Sequence, residues 1–282
     1  MNNKPYWIAP CGMALGSLLL MAAPMTRAAD ATDAGHLSLG AGADYSSGKY
    51  GTSVTTDIWS VPFTAAYRAD RWTFKLVVPY ISVTGASNVI PGAGPVSNVN
   101  PSGRGRGRSS TGTTTVTETS GSASGLGDVV ASAGYELFSS ADRTFGLDLT
   151  GKVKFGTADE NKGLGTGKND YGVSLDAYKV AGDWTPFGGV GWTRYGSSQY
   201  IRLKNAFNAN LGVDYKLSSN DHFGGYYYYR ERVVSGGPSQ SELTAYWNHK
   251  LGQSWRVQSY VLGGLANGSP DWGAGASVKY TF

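Results

Sequence analysis

The sequence predicts an all-β fold: a transmembrane, antiparallel, up-and-down β-barrel of about twelve strands. Three observations predict it. Apolar and polar residues alternate with a period of two along one segment after another. Aromatic residues bracket the apolar face of several segments at a repeated interval. Every second connection between segments is tight, and the ones between them are long.

The N-terminus reads as an export signal. Lys4 supplies a positive start, Gly12 to Ala23 is a short apolar run, and Thr26-Arg27-Ala28 or Arg27-Ala28-Ala29 offers small residues for cleavage. The run is shorter than the ~20 residues needed to span a bilayer, which disfavours an anchor helix. Residues 1–28 are therefore expected to be a signal peptide and residues 29–282 the barrel. Cys11 is the only cysteine and precedes the apolar run, where a lipoprotein cysteine would follow it. The mature chain is expected to hold no disulfide and no thiol chemistry.

Composition narrows the class. Charged residues make up 16% of the 282 residues, below the roughly 25% of soluble domains. Hydrophobic residues make up 40% and aromatics 12%, with 41 glycines, which suits a sheet with one face in lipid. The formal net charge of +4 is not a nucleic-acid-binding balance, so no nucleic-acid partner is expected.

Strands follow in order. A strand sends successive side chains to opposite faces, so alternate residues share a face. A first strand is expected near 36–45. In 58–68, Trp59, Val61, Phe63, Ala65 and Tyr67 share a face. In 72–81, Trp72, Phe74, Leu76, Val78 and Tyr80 oppose Thr73, Lys75 and Val77. A weaker pattern covers 125–137. In 145–155, Phe145, Leu147, Leu149, Val153 and Phe155 oppose Asp148, Thr150, Lys152 and Lys154. Weaker patterns cover 170–180 and 185–195. In 206–217, Phe207, Ala209, Leu211, Val213 and Tyr215 oppose Asn208, Asn210, Asp214 and Lys216. Strands near 222–233, 241–250 and 254–264 precede the last, 272–282, where Trp272, Ala276, Val278, Tyr280 and Phe282 oppose Ser277 and Lys279.

Alternation also occurs in soluble sandwiches, and the aromatic spacing separates the two. Trp59/Tyr67, Trp72/Tyr80, Phe187/Tyr195, Phe207/Tyr215 and Trp272/Tyr280 each stand eight residues apart. Eight residues in a strand tilted by ~40° cover roughly 20 Å along the membrane normal, close to the ~25 Å apolar band between aromatic girdles.

Connections set the orientation. Those at Ala69-Asp70, 139–142, 181–183, 218–221 and Gly252-Gln253 are tight, and those around 46–54, 84–124, 156–168, 196–202, 235–240 and 266–270 are longer. Short turns face the periplasm in outer-membrane barrels, so both termini are expected there. The chain ends in Val278-Lys279-Tyr280-Thr281-Phe282, and the aromatic end is expected to be read by the barrel assembly machinery.

Charges opposite the girdle face must line the inside, because Arg or Lys at the bilayer midplane costs ~2–4 kcal/mol. They are Asp44, Lys75, Asp128, Glu136, Asp148, Lys152, Lys154, Asp176, Arg194, Asp214, Lys216, Arg230, Arg232, Glu242, Lys250, Arg256 and Lys279. Either they pair across a sealed lumen or they line a wet passage. Trp192, Tyr226, Tyr228, Tyr246 and Tyr260 fall on the same expected face as Arg194, Arg230, Arg232 and Arg256. Guanidinium and phenol together suit a small anionic or aromatic solute through charge-assisted hydrogen bonds and stacking. The same residues also serve simply to fill a narrow barrel. The four arginines and four tyrosines are the candidate lining site.

Segment 84–124 is too long for an ordinary hairpin. Pro91, Pro95 and Pro101 interrupt it, and Gly103-Arg104-Gly105-Arg106-Gly107-Arg108 precedes a Thr-rich run at 111–119. A flexible, solvated outer loop is the expectation. Two other readings stay open: its arginines neutralise lipopolysaccharide phosphates, or it folds inward and constricts the lumen.

No catalytic or cofactor signature appears. His36, His222 and His249 are all expected near the periplasmic ends of strands, away from any outer-leaflet serine. No metal-ligand spacing and no phosphate-binding glycine loop is present. The expected function is a non-enzymatic outer-membrane channel or transporter for small solutes, with membrane lipid, lipopolysaccharide and the solute as partners. The alternative is a structural or adhesin-like barrel acting through 84–124.

Ser124-Gly125-Leu126-Gly127-Asp128-Val129, running into Tyr135-Glu136-Leu137-Phe138, resembles a family of outer-membrane transporters labelled for the meta-pathway of phenol degradation. The resemblance is a Gly-x-Gly-Asp turn into a strand after a long early loop, together with the aromatic C-terminus. It implies a Gram-negative outer-membrane barrel passing small, often aromatic or hydrophobic, compounds.

Cleavage is expected after Ala28 or Ala29. Intact-mass measurement of protein from outer membranes should give that truncated chain, and a species retaining Met1 to Ala23 would refute the signal-peptide assignment.

Overall fold

The structure is a computed structural model that describes residues 35–105 and 119–282. The expected signal peptide, Arg106, Arg108 and most of the Thr-rich run lie outside the described residues. The described chain forms β1 (His36–Gly48), β2 (Thr56–Ala69), β3 (Trp72–Ala86), β4 (Val89–Ile90), β5 (Gly94–Pro95), β6 (Ser120–Leu126), β7 (Val129–Ser139), β8 (Phe145–Phe155), β9 (Asp170–Lys179), β10 (Trp184–Arg194), β11 (Ala206–Lys216), β12 (Asp221–Arg230), β13 (Gln240–Leu251), β14 (Trp255–Gly264) and β15 (Trp272–Thr281). No described helix is long and apolar enough to cross a membrane.

Neighbouring strands pair antiparallel in sequence order, and β1 pairs with β15, so the sheet closes on itself. β6 and β7 both pair with β3, β6 along Tyr80–Ala86 and β7 along Trp72–Val77. They are two halves of one wall strand, and the closed wall has twelve strands. Closure pairs the backbone groups that an open sheet would leave in hydrocarbon.

The break between β6 and β7 falls at Gly127-Asp128, inside the Gly-x-Gly-Asp motif. Gly127 donates to the Pro79 carbonyl at 2.8 Å, and a Cβ there would collide with Ile81. Only glycine lets the wall pinch in at this point, and the pinch carries the Asp128 carboxylate inside. The part of the expected loop at 120–124 is therefore strand β6.

Burial is inverted relative to a soluble protein. Trp59, Phe63 and Leu211 are 54%, 56% and 69% exposed on the outer face, whereas Thr56, Glu242 and Asn248 are 0%, 1% and 6% exposed inside. Exposed apolar side chains on the wall strands need hydrocarbon around them. Aromatic rings meet at both rims: Trp72–Tyr135, Trp184–Tyr215 and Trp255–Tyr280 at the end with the short turns, and Tyr45–Trp59 at the other, all 4.6 to 4.8 Å between centroids.

Four of the five eight-residue aromatic pairs face outward as expected. The fifth does not. On β10, Thr185 and Thr193 are buried and Phe187 turns inward against Tyr226, so Trp184, Val190, Trp192 and Arg194 face out. Gly188, Gly189 and Gly191 leave this strand too few side chains to fix its parity.

The chain end stitches the seam. Phe282 donates its backbone N–H to Leu37 at 3.0 Å and sets its ring edge-on to Tyr280 at 4.8 Å. Phe282→Ser removes an aromatic pair worth about 1 kcal/mol beyond its burial. Less heat-modifiable folded protein is expected in the outer membrane, and unchanged amounts would refute a role for the ring.

Candidate functional site

The lumen is the candidate site, and it has three tiers. At the end with the long connections, the chain between β3 and β6 bends into the mouth. Gly92 and Gly94, at φ of 82° and 83°, allow the tight β4–β5 hairpin. Ile90, Ala93 and Val96 then pack on Ile201, and Val89 packs with Val83, Leu164 and Ala158. Asn100 donates to Asn161 Oδ1 at 3.1 Å, and Val99 donates to the Tyr200 carbonyl at 3.1 Å, tying the hairpin to two other connections.

Two guanidiniums hold this hairpin by its backbone. Arg104 donates to the carbonyls of Ala86, Val89 and Gly163 at 2.5, 3.0 and 3.1 Å. Arg230, from β12, donates to the carbonyls of Gly92 and Ala93, both at 2.9 Å, and lies 5.9 Å from the centre of the Tyr195 ring. Burial pushes Arg104 down to about 10, which still leaves it charged at neutral pH. Residues 84–86 complete β3, and for 87–105 the expected flexible, solvated loop is corrected to an inward-folded plug. Arg104 is 4% exposed and is spent on carbonyls rather than offered to lipopolysaccharide.

Below the plug, Lys154 bridges Asp128 at 2.8 Å and Asp170 at 2.9 Å. Asp128 also accepts from the Ala158 N–H, and Asp170 from the Gly196 N–H. The motif aspartate therefore anchors the mouth connections through one buried ion triad.

The middle tier is a belt of tyrosines. Tyr226, Tyr228, Tyr246 and Tyr260 are buried and cluster with Leu262 and Phe187. Three of the four lie directly opposite a glycine in register: Tyr226 faces Gly212, Tyr246 faces Gly224, and Tyr260 faces Gly275. A Cβ on Gly224 or Gly275 would strike the opposing tyrosine ring, and one on Gly212 would strike the Phe187 ring and the Tyr226 Cβ, so the glycines are the seats on which the rings lie. The hydroxyls are anchored too. Tyr246 donates to Asp214 at 2.9 Å and Tyr260 to Asp44 at 2.8 Å. His222 Nδ1 meets the other Asp214 oxygen at 3.1 Å.

The third tier, nearest the short turns, holds inward charges including Arg256 on β14. Of the expected lining residues, the structure brings the four tyrosines and Arg256 together inside, with Arg230 above them. Arg194 and Arg232 are corrections. Arg194 pairs in register with the exposed Tyr171, so it faces out. Arg232 lies past the end of β12 in an exposed connection. Phe187 and the glycine seats were not identified from the sequence, because both depend on cross-strand register. Among the described residues, no cluster of His, Cys, Asp and Glu could hold a metal ion.

The family described as "Putative MetA-pathway of phenol degradation" matches residues 40–282. Among solved structures, an outer membrane channel from Pseudomonas putida F1 is 13% identical, with 90% of this chain and 97% of that one covered and a TM-score of 0.61. The KdgM porin is 11% identical over 87% and 99%, at 0.45, and the Pseudomonas putida toluene transporter TodX is 12% identical over 89% and 90%, at 0.42. At such identity the first likeness establishes the fold alone. No curated protein matches the sequence.

Arg230→Gln removes charge-assisted bonds of the kind worth about 1.5–3 kcal/mol each. The plug should loosen: purified protein in detergent should be cut by trypsin at Arg104 several times faster than wild type. Equal cleavage rates would show that Arg230 does not hold the hairpin.

Proposed function

The chain belongs to the family described above, and from that membership and the lumen's geometry we propose that it is an outer-membrane channel for small solutes, with anionic and aromatic or hydrophobic compounds as cargo. The observation that carries this reading is the built interior: a glycine-seated tyrosine belt with Arg256 beneath it and a latched hairpin above. The rings suit an apolar solute, and the Arg256 guanidinium suits an anion. The short turns and both termini are assigned to the periplasm, which puts the hairpin at the outer mouth. With 87–105 packed into that mouth, this part of the loop suits gating better than adhesion. His222 is engaged with Asp214, consistent with a structural rather than a catalytic role.

The charge preference should be modest, because inward carboxylates oppose the bases, and it should weaken with salt. Purified protein in planar bilayers should conduct, with reversal potentials across a salt gradient favouring anions. Arg256→Gln should move them toward cations, while Arg194→Gln, on the outer face, should leave them in place. Absence of both conductance and solute uptake into liposomes would overturn the channel reading. An unmoved reversal potential in Arg256→Gln would overturn the assignment of Arg256 to the passage.

A further inference from the structure

The ionisable side chains of the third tier are sorted by sign around the wall, except that Lys216 follows the acid Asp214 on the inward face of β11. On β13, β14 and β15, the inward residues Lys250, Arg256 and Lys279 stand side by side in register. On β7, β8 and β9, the inward residues Glu136, Asp148 and Asp176 do the same. The strand order puts six steps between β14 and β8 in either direction round the twelve-strand wall, so the two rows face each other across the lumen. Both lie close to the short turns, Arg256 being the second residue of β14 and Asp148 the fourth of β8.

Two residues tie the rows to one stretch of lumen. Arg68, inward on β2 between them, is within electrostatic reach of Arg256 on one side and of Asp148 and Glu136 on the other. Lys75, inward on β3, extends the basic arc. Among the described residues, the remaining inward acid at this depth, Asp214 on β11, is hydrogen-bonded to His222 and Tyr246. Lys75, Lys250, Arg256 and Lys279 each have interactions within the protein, and the argument depends on where their charges sit rather than on any being unpaired.

Opposed rows of fixed charge produce a field across the lumen, strengthened by the low dielectric of the wall. A simple ion gains at one wall and loses at the other. A dipole lying across the passage gains at both. We propose that this cross-section is a selectivity site for small zwitterions of the aminocarboxylate class, with the carboxylate toward the Arg256 row and the ammonium toward the Asp148 row. This rests on the channel reading and narrows it to a solute class that neither the tyrosine belt nor the net charge would select.

Liposome swelling tests it with two solutes of similar size: γ-aminobutyrate, a zwitterion, and erythritol, a neutral polyol. Wild type should pass the zwitterion faster, by up to about tenfold. Two variants each flatten one wall, Arg256→Gln with Lys279→Gln, and Glu136→Gln with Asp148→Asn. Both should bring the ratio of rates toward one, while Arg256→Lys with Lys279→Arg should keep it. Heat-modifiable migration of each variant checks that the barrel has formed. Equal rates in wild type would overturn the zwitterion site and leave the channel reading standing, since erythritol still passes. Loss of preference in only one flattened variant would mean a one-walled ion site and would also overturn it. Flux of neither solute would remove the channel reading, and the inference with it.

Discussion

The hydrogen-bonding demand of a backbone placed in hydrocarbon governs everything else in this structure. Each unpaired N–H or C=O in lipid costs several kcal/mol, so the sheet has to close. The β1–β15 seam meets that demand, and the backbone N–H of Phe282 extends it to the last residue. Closure in turn fixes side-chain fate. One face of every strand meets lipid and must be apolar, and the other is confined to a narrow lumen.

Side chains from the whole wall are buried in the twelve-strand lumen, and they are arranged accordingly. Carboxylates taken out of water need partners, and they find them on other strands: Asp44 with Tyr260, Asp214 with Tyr246 and His222, and Asp128 and Asp170 with Lys154. Large rings need space, and glycines directly opposite provide it. The high glycine content thus serves two purposes, room for rings within the wall and a pinch at Gly127. Above this packed interior the hairpin sits in the mouth, held by arginine to carbonyl bonds.

Much of this was legible in the sequence, and the reason is physical. A period of two is the direct imprint of lipid on one face, so strands rich in side chains, such as β2, β3, β8, β11 and β15, could be placed and oriented from residues alone. Glycine erases that imprint. On β10 three glycines left Phe187 and Trp192 as the guides to parity, and both were assigned to the wrong face, which carried Arg194 with them. Arg232 failed for a different reason, because strand ends are set by neighbouring connections and β12 stops at Arg230. The plug was beyond a sequence reading. Its glycines and prolines mark turns, but its inward direction depends on Arg230, well over a hundred residues away. The opposed charge rows likewise emerge only when register and strand order are known together.

The central claim is that one residue parity on each strand faces lipid and the other faces a lumen packed with the protein's own polar and aromatic groups. Single cysteines carrying spin labels test it directly, introduced into a Cys11→Ser background at the adjacent β12 positions Tyr226 and Tyr227 and the β10 positions Thr193 and Arg194. In bilayers, labels at 227 and 194 should relax strongly with dissolved oxygen, the lipid-soluble agent, and those at 226 and 193 should not. A label at 193 more accessible to oxygen than its neighbour at 194 would contradict the assigned face of β10, and the same reversal at 226 and 227 would contradict the barrel interior described here.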